Sequence, residues 1–239
     1  MALKALIFDC DGTLAETEEA HRTAFNLAFA SAGLDWHWSV DRYRELLKVT
    51  GGKERIAHFI AEEQRQRVDI NALHLAKNTL YSDTVRSGKV ALRPGVMRII
   101  TAAQAQGVAL AIATTTSRSN LDSLIAATPL RGIGFAAIVT GEDVTRKKPD
   151  PEAYYIALNR LSLSPDVCIA FEDSKNGIDA ARGAGIATIV TPSIYTSGDN
   201  FRDADIIARN LDDVADQAKP DLITWMYEQT MLRTLASRA

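Results

Sequence analysis

Residues 3–14 read LKALIFDCDGTL, and this stretch decides the fold prediction. Its first six residues form a short apolar run that is typical of a buried strand. Asp9 and Asp11 follow directly; residues two apart in a strand point to the same side, and Gly12 lets the chain turn away. Two carboxylates at the end of a buried strand are unfavourable unless a cation compensates them. We therefore predict a cation site at the carboxyl edge of a sheet, where open α/β folds bind ligands.

Oxygen ligands favour Mg²⁺. One carboxylate can then attack an electrophile while the other transfers protons. On these residues alone an ordinary Asp-Gly turn with solvated carboxylates stays open. A calcium loop of the EF-hand type is excluded, because it needs Gly at its sixth position and Glu at its twelfth, where this chain has Leu14 and Ala20.

The composition is that of a globular protein. The chain has 239 residues, 46% of them hydrophobic and 24% charged, with 27 basic and 30 acidic side chains and a net charge of -3. This balance gives no electrostatic reason to expect nucleic acid or an anionic membrane as a partner. We find no apolar run near the roughly 20 residues of a membrane span and no secretion signal. We therefore expect a cytoplasmic protein in which Cys10 and Cys168 are reduced core residues.

Residues 17–88 show helical periodicity and no convincing strand, which predicts four helices. Thr17 is the predicted N-cap of the first helix, with acidic residues in the first turn, where the helix dipole favours them. The second helix is expected to break at residues 50–52, which read TGG. The apolar positions that we assign to the first and fourth helices are Ala20, Ala24, Leu27, Phe29, Leu73, Leu75, Leu80 and Val85.

From residue 92 onward, apolar strand-like runs alternate with helical patterns. The predicted strands are 108–113, 136–139, 167–171, 186–190 and 205–207, and helices begin near Pro94, Asn120, Pro151 and Asn176. Such alternation predicts a parallel sheet with helices on both faces. The predicted fold is α/β: a doubly wound, Rossmann-like core with an inserted α-helical cap. We assign residues 1–15 and 91–239 to the core, residues 16–90 to the cap, and a helix to residues 221–239.

Polar groups suited to chemistry follow the later strands as well. Thr114, Thr115 and Thr116 precede a helix, where hydroxyls and backbone N–H groups can form a phosphate cradle. In the basic run of residues 146–148, between strand and helix, one Lys can neutralise an anion, and Glu172 and Asp173 end the fourth strand. Each pattern alone also fits a helix cap or a solvated loop. Together they predict one site, because all would converge on the same sheet edge.

Two nucleotide-binding motifs are excluded. The Gly-Gly-Lys of residues 51–53 lacks the first Gly and the Ser or Thr of a P-loop, because Leu47 and Glu54 stand at those positions. Residues 183–185, which read GAG, precede a strand instead of following one, so they do not fit a dinucleotide fingerprint.

The motif residues, in correct order over residues 3–208, resemble the haloacid dehalogenase-like (HAD) hydrolase superfamily. The helical insert resembles the cap of the β-phosphoglucomutase and CbbY group. Three segments, 14–22, 50–55 and 113–117, are similar to CbbY-type sugar-bisphosphate phosphatases. That group resembles enzymes that clear xylulose 1,5-bisphosphate, an inhibitor of Rubisco, in carbon-fixing organisms.

The resemblance implies a role for each motif residue. Asp9 would be the nucleophile that forms an aspartyl-phosphate, and Asp11 the acid and base. Thr114 and the Thr115 amide would bind the phosphoryl group, and Lys148 would steady its charge. The implied Mg²⁺ ligands are Asp9, the backbone carbonyl of Asp11, Asp173 and waters, with Glu172 contributing directly or through water.

Substrate choice is expected to lie in the cap. Lys53 and Arg55 are candidates for gripping a second phosphate, and Glu16 and His21 for binding sugar hydroxyls near the hinge. Lys77 is a weaker candidate, for which a solvated surface charge is an equal alternative.

The leading hypothesis is a Mg²⁺-dependent phosphoric monoester hydrolase that acts as a monomer on a small phosphorylated sugar, a bisphosphate of the xylulose or ribulose type. A phosphomutase is the nearest alternative, although Thr13 and the residues 50–53, TGGK, differ from the mutase pattern. A metal-independent dehalogenase and a catalytically silent sugar-phosphate binding protein are further alternatives. Asp11 and Asp173 speak against the first of these, and the complete set of reactive residues against the second.

Overall fold

The computed structural model describes residues 2–65, 67–217 and 221–236. Within them, a six-stranded sheet has the order β3-β2-β1-β4-β5-β6, and every neighbouring pair of strands is parallel. The strands are β1 (Ala5–Phe8), β2 (Ala109–Ala113), β3 (Ala137–Val139), β4 (Cys168–Glu172), β5 (Ala187–Val190) and β6 (Ile206–Ile207). This architecture confirms the predicted fold class.

The first strand lies in the interior of the sheet, between β2 and β4, and its residues are buried on both faces. All four residues of β1 are fully buried. Leu6 and Phe8 face one hydrophobic layer, whereas Ala5 and Ile7 face the other, as the alternation of side chains along a strand requires. Helices cover both layers, so the sheet presents its carboxyl edge as the accessible region for a ligand.

The helices of the described residues fall into two groups. Four lie between β1 and β2 in the sequence: α1 (Glu18–Ser31), α2 (Val40–Leu46), α3 (Gly52–Glu62) and α4 (Ile70–Arg86). The others alternate with strands or follow them: α5 (Val96–Ala105), α6 (Arg118–Ala127), α7 (Glu152–Leu161), α8 (Lys175–Gly183), α9 (Leu211–Gln217) and α10 (Leu222–Ala236). A 3₁₀ turn spans Pro165–Val167. The predicted starts of helices α5 to α8 lie within two residues of the observed ones.

The helices α1 to α4, hereafter the helical insert, have an aromatic core of their own. Its large members, which pack against one another edge to face, tilted or stacked, are Phe25, Phe29, Trp36, Trp38, Tyr43 and Phe59. The insert comes from one continuous stretch of chain. The exact division into a cap of residues 16–90 and a two-part core stays a prediction.

Two predicted core positions of the helical insert are wrong. Leu27 is 47% exposed and Leu75 is 69% exposed. The buried faces of these helices instead carry Phe25 in α1 and Lys77 and Tyr81 in α4. The apolar residues at 27 and 75 are out of phase with the 3.6-residue stripe that faces the core, and the pattern alone did not predict a buried lysine.

The predicted N-cap of α1 has another role. Thr17 occupies the position before the helix, but its side chain makes no cap hydrogen bond. Its hydroxyl instead donates to Asp11 Oδ1 over 2.5 Å. A charged acceptor binds a hydroxyl more strongly than a neutral one does. The predicted N-cap position of Thr17 is therefore confirmed, but its side chain binds Asp11 instead of capping the helix.

Further predictions concern the cysteines, the C-terminus and the membrane. Cys10 and Cys168 are both free and buried. The predicted C-terminal helix is present as α10, and residues 237–239 of that prediction lie outside the described residues. Within the described ranges, no helix combines the length and the hydropathy that crossing a bilayer requires.

Candidate active site

The site begins where the two central strands end side by side. Phe8 of β1 is in register with Phe171 of β4, and the Asp9 amide donates to the Phe171 carbonyl over 3.0 Å. The residues that follow, Asp9 on one strand and Glu172 and Asp173 on the other, are therefore neighbours at the same edge. All three are at most 8% exposed.

Lys148 joins the two strand ends. Its ammonium donates to Asp9 Oδ1 and to Glu172 Oε1, each over 2.6 Å, and to the Ala113 carbonyl over 2.9 Å. The Tyr154 hydroxyl donates to the same Glu172 oxygen over 2.5 Å. Burial disfavours the ammonium, but the carboxylates of Asp9 and Glu172 outweigh it and hold the pKa of Lys148 above its ordinary value. The two carboxylates thus favour the charged form of Lys148 at the base of the site.

The acidic cluster carries more negative charge than Lys148 can neutralise. Carboxylate oxygens of Asp9, Glu172 and Asp173 lie within 4.8 Å of one another. Burial raises the pKa of Asp9 to about 8 despite the opposing charge of Lys148. Burial, together with the charges of Asp9 and Glu172, also raises the pKa of Asp173 well above its ordinary value.

This donor set fits a divalent cation. Three carboxylates against one ammonium leave a charge excess that a doubly charged ion would balance, and oxygen donors suit hard cations. Asp9, Glu172 and Asp173 are the side chains that would hold it. The Asp11 side chain is turned to Thr17 and His21 instead, and the predicted contribution of its backbone carbonyl stays a prediction.

Two positions need glycine because the backbone there passes close to the carboxylates. Gly12 has a φ of +76°, and a Cβ there would lie 2.2 Å from Asp173 Oδ2. A Cβ at Gly177, in the first turn of α8, would lie 1.9 Å from Glu172 Oε2. The Thr196 hydroxyl meanwhile donates to the Asp173 carboxylate over 3.1 Å. The acidic side chains are therefore held in place by packing against backbone.

Asp11 is the start of a polar chain that runs into the helical insert. Its Oδ1 accepts from Thr17 and lies 3.1 Å from His21 Nε2. The Lys77 ammonium lies 2.6 Å from the other ring nitrogen, His21 Nδ1. Because the ammonium donates to Nδ1, the imidazole proton lies on Nε2 and is donated to Asp11.

The environment sets the protonation of this chain. Burial alone would raise the pKa of Asp11, but the contacts with His21 and Thr17 outweigh it and hold the pKa well below its usual range. Burial and the charge of Lys77 lower the pKa of His21. Burial also lowers the pKa of Lys77 from its ordinary 10.5 to about 7. Lys77, predicted as a surface charge or a weak substrate ligand, is a buried group that titrates near neutrality.

The threonine loop after β2 borders the same space. Thr114 is 1% exposed, and its Oγ1 accepts from the Thr116 amide over 3.2 Å. Ser117, the next residue, caps α6 through the Asn120 amide. Thr114, Thr115 and Thr116 all line one cavity of about 770 Å³ together with the acidic cluster.

The helical insert closes this cavity from above. We call Asp9, Lys148, Glu172 and Asp173 the floor, and the cavity-lining residues of the insert and its turns the roof. Of the predicted substrate ligands, His21, Lys53 and Arg55 belong to the roof. The Arg55 guanidinium already donates to the Leu46 carbonyl and to Tyr43 Oη, each over 3.1 Å.

Glu16 is the predicted substrate ligand that does not line the cavity. Its carboxylate accepts from the Ile194 amide over 3.1 Å and lies 3.4 Å from the Arg93 guanidinium. Arg93 also donates to the Pro192 carbonyl. The structure therefore places Glu16 at the junction of the insert with the core, where its partners are protein groups. The predicted contact of Glu16 with sugar hydroxyls stays a prediction.

Sequence reasoning missed several polar residues that line the cavity. They are Glu18, Arg44, Lys48, Glu54, His74, Lys147, Lys175 and Asn176. The basic run of residues 146–148 contained a signal for Lys147. The sequence alone does not show which of the three cations in this run face the site.

The comparisons with known proteins agree with this geometry. The sequence matches the haloacid dehalogenase-like hydrolase family over residues 3–185, and the chain belongs to that family. The predicted enzyme class, a hydrolase, and the resemblance that implied it are confirmed.

More specific relatives carry the name CbbY. The chain is 51% identical over 226 residues to Protein CbbY of Rhodobacter capsulatus, across 93% of this chain and 100% of the relative. The crystal structure of CbbY from Rhodobacter sphaeroides in complex with phosphate has a TM-score of 0.84 and 44% identity, and covers 89% of this chain and 96% of that one. A mutant of that protein in complex with xylulose-(1,5)bisphosphate, at the same identity and coverage, has a TM-score of 0.83.

Proposed function

We propose that the chain is a Mg²⁺-dependent phosphatase that hydrolyses a small sugar bisphosphate, xylulose 1,5-bisphosphate, through an aspartyl-phosphate on Asp9. One observation carries the proposal: the Asp9 carboxylate, buried beside two further carboxylates, is held by Lys148 over 2.6 Å at the base of the cavity. The likeness to a protein crystallised with this bisphosphate supports the choice of substrate.

In the first step, an Asp9 oxygen attacks phosphorus and the bond to the sugar oxygen breaks. The leaving alcohol takes a proton from Asp11. Asp11 is joined through His21 to Lys77, whose pKa of about 7 makes it a proton donor at neutral pH. This chain can supply the proton with which Asp11 enters the first step, and the attacking water of the second step returns a proton to Asp11.

In the second step, water attacks the aspartyl-phosphate and Asp9 is released. Asp11 now accepts the proton of that water, a task for which its carboxylate form is suited. The hydrogen bonds from His21 and Thr17 favour this form. One residue thus acts first as acid and then as base.

Charge stabilisation is the larger part of the catalysis. General acid and base help contributes about 10²–10⁴, whereas phosphate-monoester hydrolysis is accelerated by up to about 10²¹. Lys148, together with the Thr114 hydroxyl and the Thr115 amide, would hold the phosphoryl oxygens. When bound to Asp9, Asp173 and Glu172, Mg²⁺ would supply further neutralisation of those oxygens.

A phosphate-release screen tests the proposal. Pentose and hexose mono- and bisphosphates are offered with and without Mg²⁺, and xylulose 1,5-bisphosphate is expected to give the highest kcat/KM. Loss of release on adding EDTA is expected as well. Conversion of β-glucose 1-phosphate to glucose 6-phosphate without free phosphate would contradict the proposal in favour of a mutase.

Two further properties belong to this proposal. We expect the enzyme to act as a monomer in the cytoplasm, without nucleic acid or membrane partners. Sedimentation velocity at micromolar concentration would test whether the enzyme is a monomer. Fractionation of cells that express the chain would test whether it is in the cytoplasm.

A further inference from the structure

A turn that runs into the first residues of α3, over residues 48–54, lies over the cavity and is joined to the core on two sides. The Asn176 amide group donates to the Lys48 carbonyl and to the Thr50 hydroxyl, each over 3.1 Å. On the other side, the Lys147 ammonium donates to Glu54 Oε2 over 3.1 Å. Lys147 directly precedes Lys148 of the floor, so this ion pair connects the roof to a residue adjacent to the reacting groups.

The ion pair is seated against the backbone of the turn. Gly51 has a φ of +99°, and a Cβ there would lie 2.2 Å from Glu54 Oε2 and 2.7 Å from Lys147 Nζ. Glu54 and Lys147 both line the cavity. A glycine at position 51 therefore leaves room for the two charges to meet at the inner side of the roof.

Three further cations lie near the pair, two of which already have partners: Lys48 pairs with Glu45 and Arg44 with Asp41. Lys48 and Lys53 line the cavity on the same turn, and Arg44 precedes it. Burial, together with the charges of Lys77, Lys53 and Lys147, lowers the pKa of His74 to about 3. Glu54 is thus a carboxylate among cations, in the position that an anionic group of a ligand would take.

The pair is also exposed enough to exchange partners. The Lys147 side chain is 22% exposed and the Glu54 side chain 46% exposed. Ion pairs of this kind change an equilibrium by no more than about fivefold. A phosphate dianion carries twice the charge of a carboxylate and offers more acceptor oxygens to a lysine. Such a group can therefore displace Glu54 from Lys147.

We propose that Glu54 is a specificity-determining residue: its carboxylate holds Lys147 until the second anionic group of a substrate displaces it. This inference rests on the proposed phosphatase function. A monophosphate whose phosphoryl group lies at Asp9 has no group for Lys147 and leaves the pair with Glu54 intact. A bisphosphate exchanges the pair for a contact of its own, so the enzyme distinguishes the two substrate classes at this position.

The test measures the ratio of kcat/KM for xylulose 1,5-bisphosphate to kcat/KM for xylulose 5-phosphate. Glu54→Gln removes the competing charge and is expected to raise this ratio about two- to fivefold. Lys147→Met removes the cation and is expected to lower the ratio about tenfold or more. In the Lys147→Met background, Glu54→Gln is expected to change nothing further, because Glu54 acts through Lys147.

Matched controls change the same charges elsewhere. Glu62→Gln removes a carboxylate of α3 that pairs with Arg42, and Lys89→Met removes an exposed cation; both are expected to leave the ratio unchanged. A purely structural latch would give the opposite sign for Glu54→Gln, a ratio that falls or stays constant while KM rises for both substrates. That result overturns the proposal, as does an effect of Glu54→Gln that persists without Lys147.

Failure of the proposed function looks different from failure of this inference. If the wild-type enzyme released phosphate from neither substrate, the proposed function would be wrong. In that case the affinity of each variant for the same two compounds would be measured by calorimetry. The ratio of the two affinities is expected to change in the same way as the ratio of kcat/KM values. If the wild-type enzyme turns over its substrates and Glu54→Gln leaves the ratio unchanged, the inference alone is wrong.

Discussion

The floor and the roof of the cavity hold their charges in different ways. The floor side chains follow strand ends and are almost completely buried, and Lys148 makes hydrogen bonds to two of the three carboxylates. The roof carries long side chains on helices, and several of them, including Lys53 and Glu54, are exposed to the cavity. Rigid, desolvated charges suit chemistry that is the same for every substrate. Exchangeable charges suit the selection of one substrate.

The largest expected effect is at the floor. Asp9→Asn removes the proposed nucleophile, and we expect kcat to fall by at least about 10⁴-fold, measured as phosphate release with Mg²⁺. The neighbouring Cys10 is 1% exposed and packs in the core, so Cys10→Ala should retain turnover and serves as the control. Equal losses in both variants would show that this strand end matters for folding and not for chemistry.

Removing a proposed metal ligand from the floor should impair catalysis without destabilising the fold. Asp173→Asn is expected to lower kcat/KM at least about 100-fold. In EDTA the variant should unfold at a higher temperature than the wild type, since one buried carboxylate of an over-charged cluster is gone. Mg²⁺ at about 100 times its Kd should stabilise the wild type by about 2.7 kcal/mol and the variant far less. Equal thermal shifts with Mg²⁺ would place the ion elsewhere.

Much of the floor could be predicted from sequence because strand ends converge. Once the strands are recognised, Asp9, Glu172, Asp173 and the basic run of residues 146–148 are expected at one edge of the sheet. The choice of Lys148 within that run came from the family resemblance, and the structure brings Lys148 to Asp9 and Glu172. The contacts of Asp11 with Thr17 and His21 could not be foreseen, since they depend on how α1 leaves the strand.

The roof was less predictable for a physical reason. Helical periodicity gives the buried face of a helix, but not the direction in which a long side chain at its edge turns. Arg55 of the roof turns to Tyr43 and Leu46. Glu16, which precedes α1 and lies outside the roof, turns to Arg93 and Ile194. Lys77 is buried although lysine is rarely so, because His21 and two aromatic rings receive its ammonium.

Within the roof, Arg55 and Lys53 should behave differently although both were predicted to bind phosphate. Arg55→Met leaves the Leu46 carbonyl and Tyr43 without their donor, and we expect it to lower the free energy of unfolding by about 1–3 kcal/mol. Lys53→Met, on the exposed side of the same helix, should change it by less than about 0.5 kcal/mol while raising KM for the bisphosphate. Chemical denaturation and steady-state kinetics measure the two effects. A stable Arg55→Met with raised KM would assign Arg55 to the substrate instead.

The smallest effect concerns the pH dependence of stability. Folded Lys77 loses its proton near pH 7, whereas unfolded Lys77 keeps it up to about 10.5. Between about pH 6 and about pH 8 the unfolded state therefore binds more protons, and this residue should raise the free energy of unfolding by about 1 kcal/mol as pH rises. Lys77→Met should lack that increment in parallel denaturation curves. Identical slopes for the two proteins would mean that Lys77 keeps its charge in the folded state.

The central claim is that the buried Asp9 carboxylate attacks phosphorus. Its most direct measurement is a rapid acid quench of the enzyme turning over xylulose 1,5-bisphosphate, followed by mass spectrometry of the digested chain. The account predicts a transient phosphate on the peptide that contains Asp9, absent from Asp9→Asn. A phosphorylated residue elsewhere, or steady turnover by Asp9→Asn, would contradict it.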